Sequence, residues 1–243
     1  MTLSTKILAY TPTHGSKPKL SSFVREMRGS AGCWFDWAIY GGALAPETKE
    51  AAEALLKAGD GIQYFGCWPE NRGQHWATRA ALALAREKGY NWLLRIDDDI
   101  QPKTKRWLKL MVEKLDELAK IHPDGAYKFV AAPRILKLRN PLKPRGKIDA
   151  VPFAVDVMDV IGGACRLAPV KLLDGWEPDI YSAVGRKDPE GILFAVTQKE
   201  GLMIRFPDIR IIHDTEAIEG AETGEQTHAR KMGHYWPYLG AEC

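Results

Sequence analysis

Cysteine is scarce in this chain of 243 residues. The four present, Cys33, Cys67, Cys165 and Cys243, are widely scattered and form no Cys-x-x-Cys pair. That argues against a zinc ribbon or a disulfide framework and leaves free thiols in a reducing cytoplasm as the expectation. No run of about 18 apolar residues occurs, so no bilayer-spanning helix is expected. The opening Met1-Thr2-Leu3-Ser4-Thr5-Lys6 lacks the apolar core of a secretory signal. Internal repeats and low-complexity linkers are also absent. Charge of either sign is not in excess: the net charge is +3, which neither demands nor excludes a polyanionic partner.

What is present is alternation. Short apolar runs predict strands at 6–10, 33–40, 61–66, 91–96, 128–132, 155–161 and 209–213, the second closed by Gly41-Gly42. Helical signals fall between them, at 46–58, 74–88, 103–121 and 187–199. The first of these has Pro46 in its first turn and Gly59 just beyond its end. The stripe Trp107, Leu108, Met111, Leu115 and Leu118 reads as core. Between 137 and 147, five basic residues mixed with Pro141, Pro144 and Gly146 predict a basic loop, not a helix or a central strand. The pattern predicts an α/β fold, one domain with a mostly parallel central sheet flanked by helices. Ligands of such sheets bind beyond the carboxyl ends of the strands. Both 11–15 and the acidic cluster Asp97-Asp98-Asp99 lie at such ends.

Three consecutive carboxylates are costly to keep ionised together. Two charges ~4 Å apart repel by ~4 kcal/mol at an effective dielectric near 20. Water relieves this in a solvated turn; a divalent cation relieves it in a site. If the backbone stays extended, Asp97 and Asp99 point to one side and Asp98 to the other. Oxygen-rich ligation suits Mn²⁺ or Mg²⁺, whose open positions accept phosphate oxygens. The implied chemistry is loss of a phosphate leaving group assisted by a Lewis acid. His213, at the end of the last predicted strand, is a competent further Mn²⁺ ligand or a histidine hydrogen-bonded to a neighbour.

The order Glu70-Asn71-Arg72-Gly73, Thr78-Arg79, Ala85 and then 94–99 resembles family-2 glycosyltransferases of the GT-A (Rossmann-like) fold, with their Asp-x-Asp motif. The opening 7–13, ending Thr11-Pro12-Thr13, is similar to that family's first strand and nucleotide-binding loop. The resemblance implies a metal on Asp99 bridging the two phosphates of a nucleotide-sugar, with Asp97 on the ribose or sugar and Asp98 in support. Asn71 and Arg79 would border the donor pocket, and His213 would be a third metal ligand. Two positions depart from the pattern. Ala80 replaces the Asn usual after the Arg, and Gly41-Gly42 stands where an Asp ordinarily reads the base.

In the second half, Gly162 and Gly163 resemble the glycine-containing acceptor segment, and Asp188 and Glu190 fall at the Glu-Asp motif. That makes Asp188 the expected general base and Glu190 an acceptor contact, although a carboxylate at a helix start also serves as an N-cap. Trp176 is a further acceptor-side candidate, because its ring offers a sugar platform. His228 and His234 are weaker metal-ligand candidates, and the basic loop 137–147 and the tail Arg230-Lys231 are either a solvated face or contacts to the donor diphosphate or an anionic acceptor.

The resulting expectation is an enzyme with a donor-binding half at 1–125, an acceptor-binding and catalytic half at 126–219, and a tail or lid at 220–243. It would move a sugar from a nucleotide-diphosphate donor to a hydroxyl acceptor, a glycan or a modified base in DNA, with inversion. The rivals are a metal-dependent nucleotidyltransferase or phosphoesterase, and a non-catalytic sugar- or nucleic-acid-binding module.

Overall fold

The computed structural model describes residues 6–59, 61–122, 125–136, 143–150, 152–159, 161, 164–176 and 192–213. In chain order its strands are β1 (Ile7–Gly15), β2 (Asp36–Leu44), β3 (Tyr64–Trp68), β4 (Trp92–Ile96), β5 (Ile100–Pro102), β6 (Phe129–Leu136), β7 (Gly146–Ala150), β8 (Phe153–Val157), β9 (Cys165–Pro169) and β10 (Leu202–His213). Its helices are α1 (Leu20–Ala31), α2 (Pro46–Ala58), α3 (Gln74–Glu87), α4 (Trp107–Ile121) and α5 (Ile192–Lys199).

Period-two alternation along the strands builds a core on each face of one sheet. Ile7, Ala9, Trp37, Ile39, Trp92 and Leu94 join the side chains of α1, α2 and α4 in one buried cluster. Leu8, Tyr10, Ala38 and Leu93 join those of α3 in the other. The strand order is β3-β2-β1-β4-β9-β6-β10-β8-β7, with β5 added to β10. Neighbours among β3, β2, β1 and β4 are parallel, as are β6 and β10, whereas β9 enters antiparallel between β4 and β6. The expected α/β class, a central sheet with helices on both faces, is borne out.

Several boundaries differ from expectation. β2 does not stop at Gly41-Gly42 but runs through both to Leu44, paired to β1 on one side and β3 on the other. α1 was not anticipated, although Leu20, Phe23, Val24, Met27 and Ala31 form a helical stripe that buries against the sheet. β9 was missed as well. The predicted basic loop gives way at Gly146 to β7, which is tolerated at a sheet edge, where one side of the strand needs no partner. Residues 137–142 lie outside the described residues. Among the described residues, no helix is long and apolar enough to cross a membrane.

Candidate metal and donor site

β4 (Trp-Leu-Leu-Arg-Ile) is buried along its whole length, covered on both faces as the central strand of an α/β sheet must be. At its carboxyl end the Asp97 N–H donates to the Ala164 carbonyl at 2.8 Å. The chain then turns through Asp98 and Asp99 instead of staying extended. The three carboxylates still separate. Asp97 accepts from Arg95 Nε at 2.7 Å. Asp98 accepts from Thr13 Oγ1 at 2.6 Å and from Lys17 Nζ at 3.0 Å. Asp99 Oδ2 lies 3.3 Å from His213 Nε2.

Sheet register brings His213 to this point. β5 begins directly after Asp99 and pairs antiparallel with β10, placing Ile100 opposite His213. One ligand atom each from Asp97, Asp99 and His213 lies within 4.8 Å of the others. Two oxygens and an imidazole nitrogen fit Mn²⁺ or Mg²⁺, and the imidazole favours the former. A separate observation supports the fit: Asp99 Oδ1 is buried without a hydrogen-bond partner, a costly state for a carboxylate oxygen that an ion would relieve. Burial pushes the carboxyls of both Asp97 and Asp99 upward, opposed chiefly by Arg95 at Asp97 and by His213 at Asp99. A bound divalent ion would reverse that direction.

Behind Asp97 stands a row of polar residues, which the sequence reading did not single out. Tyr10, Arg95 and Arg166 are register neighbours across β1, β4 and β9, and all three are buried. Tyr10 shares a 2.9 Å hydrogen bond with Thr78 of α3, and Arg95 Nη2 donates to Gln74 Oε1 at 2.8 Å. Arg166 is hydrogen-bonded to Tyr10, and burial, with the neighbouring Arg95, lowers its guanidinium to about 10. The signal for Arg95 was visible as a lone charge in an apolar strand. Lys17 carried no such signal, because only the fold brings it to Asp98.

The remaining candidates fall as follows. Thr11 is fully buried and accepts from Trp37 Nε1 at 3.0 Å, so its hydroxyl faces the core. Pro12 is half-buried beside it. Exposed Asn71 accepts from the Gly73 N–H at 3.0 Å, closing the turn into α3. Arg79 is exposed on α3, with its guanidinium 5.5 Å from the centre of the Trp76 ring. Trp176, expected as a sugar platform, is instead packed into the α3-side core at 4 % exposure. Gly162, Gly163, Asp188, Glu190, His228, His234 and Arg230-Lys231 lie outside the described residues.

An α/β sheet whose central strand ends in an Asp-Asp-His group able to hold a metal has the GT-A arrangement. Residues 42–159 match the family model for glycosyl transferase family 2, and the resemblance drawn from the sequence is borne out over that segment. Among solved structures, the mannosyltransferase PcManGT from Pyrobaculum calidifontis, in complex with GDP-Man and Mn²⁺, matches with a TM-score of 0.62 at 14 % identity. That match covers 94 % of this chain and 60 % of that one. S. aureus TarS matches with a TM-score of 0.58 at 13 % identity, covering 86 % and 37 %. Its 1–349 portion in complex with UDP-GlcNAc matches with a TM-score of 0.57 at 13 % identity, covering 88 % and 61 %. The chain therefore spans less than two thirds of the length of each, and at these identities the likeness is one of fold. No curated protein matches the chain.

Proposed function

We propose that this chain is a glycosyltransferase that moves a sugar from a nucleotide-diphosphate sugar to a hydroxyl acceptor with the help of Mn²⁺ or Mg²⁺. The observation that carries the reading is the convergence of Asp97, Asp99 and His213 at the carboxyl end of β4. Supporting it are the family-2 match and neighbours solved with GDP-Man and Mn²⁺ or with UDP-GlcNAc. Asp97, Asp99 and His213 would hold the ion, which would supply Lewis-acid stabilisation of the departing nucleoside diphosphate. Thr13 and Lys17 hold Asp98 to one side of that group. Thr11, Pro12, Asn71 and Arg79 keep their assignment to the donor side on the sequence resemblance.

In this reading, 1–125 binds the donor, 126–219 carries the acceptor and catalytic functions, and 220–243 is a tail or lid. Asp188 would take the proton of the attacking hydroxyl, with Gly162, Gly163 and Glu190 beside the acceptor. Attack from the face opposite the diphosphate would invert the sugar. The acceptor is a glycan or a modified base in DNA. The basic stretch favours the second, and its described residues Lys143, Arg145 and Lys147 are exposed, with Arg145 3.3 Å from Asp159. Binding of DNA would weaken steeply with salt, and salt-insensitive or undetectable binding leaves the glycan.

Incubation with nucleotide-sugars and Mn²⁺ should release intact nucleoside diphosphate, and Asp99→Ala should abolish that release. Release of pyrophosphate or nucleoside monophosphate instead would make the chain a nucleotidyltransferase or phosphoesterase. Donor binding left unchanged by Asp99→Ala, without turnover in either protein, would make it a binding module.

A further inference from the structure

Arg95 is an anomaly in β4: a 3 %-exposed guanidinium in a strand otherwise made of Trp, Leu and Ile. Its register partner across β9 is a second buried cation, Arg166, so two like charges face each other in the interior. Such an arrangement is unfavourable unless the geometry does something with it. The planar guanidinium presents donors in a fixed fork. Nε is on Asp97 Oδ1 at 2.7 Å, and Nη2 is on Gln74 Oε1 at 2.8 Å at the first turn of α3. Arg95 is therefore tied to the sheet by its backbone and to α3 by one arm, and holds the carboxylate with the other.

We propose that Arg95 is a positioning residue for the metal group, fixing the Asp97 carboxylate in the orientation that meets Asp99 and His213. The inference rests on reading those three residues as a metal site. Outer partners of metal ligands commonly act in this way, orienting the ligand they hydrogen-bond. Electrostatics alone makes the opposite prediction. A buried cation beside a divalent ion repels it, so removing Arg95 would tighten metal binding if its charge were all that mattered. Arg166 supplies the contrast, because it shares the burial, the charge and the closeness to Asp97 and is hydrogen-bonded to Tyr10.

The test is Mn²⁺ binding, followed by electron paramagnetic resonance of free Mn²⁺ or by calorimetry, without any nucleotide. Circular dichroism serves as the check on folding. Arg95→Lys keeps the charge and loses the fork, so it remains informative if Arg95→Met does not fold. Both should raise the Mn²⁺ Kd about tenfold or more, and Arg166→Met should not raise it. In an Asp97→Asn background, Arg95→Lys should cause no further loss, because the carboxylate it orients is gone. An unchanged Kd in Arg95→Lys, a tightened one in Arg95→Met, or an equal loss with and without Asp97 would overturn the inference and leave the metal reading standing. Wild-type protein that binds no Mn²⁺ would overturn both.

Discussion

Asp97 and Asp99 belong to one proposed metal group but differ in what holds them when no ion is bound. Asp97 is paired to Arg95 and stands close to Arg166; Asp99 has one oxygen near His213 and the other buried without a partner. Removing the first charge leaves two interior guanidiniums without that carboxylate. Breaking a buried pair from one side costs about 3–5 kcal/mol, and the 20 % exposure of the Asp97 side chain points to the lower end of that range. Removing the second charge relieves a desolvated carboxylate. In metal-free buffer, Asp97→Asn should therefore lower the denaturation midpoint strongly, while Asp99→Asn should leave it unchanged or raise it. The pH dependence has a definite sign. Burial holds the Asp99 carboxyl above its ordinary value, so the folded chain takes up that proton before the unfolded chain does. Its contribution to stability is then complete at low pH and is lost as pH rises through the folded value. Asp99→Asn should flatten that part of the metal-free profile; an equal loss of stability in both variants would contradict the asymmetry.

Among the elements, β2 illustrates what the sequence could and could not reveal. Gly41-Gly42 reads as a stop because glycine disfavours strands, yet both residues stay in the ladder. The reason is a close approach: a Cβ on Gly42 would lie 2.9 Å from the Asn71 Cα and 2.9 Å from the Glu70 carbonyl oxygen. The segment that leads into α3 crosses directly over that glycine, a long-range fact that no local pattern encodes. Apolar period and caps were enough for α2, α3, α4 and β4, of which α3 carries Arg79 and follows the Asn71 turn, and β4 leads into the acidic cluster. They were not enough for β9, whose five residues carry a buried Arg166 in place of an uninterrupted apolar run. His213 was legible as a strand-end ligand candidate, but its partner Asp99 was fixed only by the pairing of β5 with β10. Two glycines turn this into a test. Gly42→Ala should destabilise by about 1–3 kcal/mol, as overpacking against backbone does. Gly29→Ala, exposed in α1 with open space around its Cβ, should stabilise by about 0.5–1 kcal/mol. Denaturant midpoints measure both; equal effects of one sign would mean that helix or strand propensity, not the crossing at 70–72, governs Gly42.

For the whole molecule, the acidic group joins segments far apart in the chain. Asp97 and Asp99 follow β4, His213 ends β10, and Lys17 and Thr13 come from the first strand and the turn after it. An ion that gathers the first three residues binds the folded chain and not the unfolded one, so it must add to global stability by mass action. A nucleotide-sugar whose phosphates complete the ion's coordination should add more, and only when the ion is present, since the coupling between the two ligands is reciprocal. At a hundred times its dissociation constant a ligand contributes about 2.7 kcal/mol. For a chain of this size each kcal/mol moves the melting temperature by roughly 2–4 °C, so the expected rise is about 5–11 °C. A melting series with Mn²⁺ alone, donor alone and both should show a donor-induced rise confined to the samples with Mn²⁺ and removed by a chelator. A rise of the same size in chelator would place the donor's phosphates on protein groups alone and would remove the ion from the proposed chemistry.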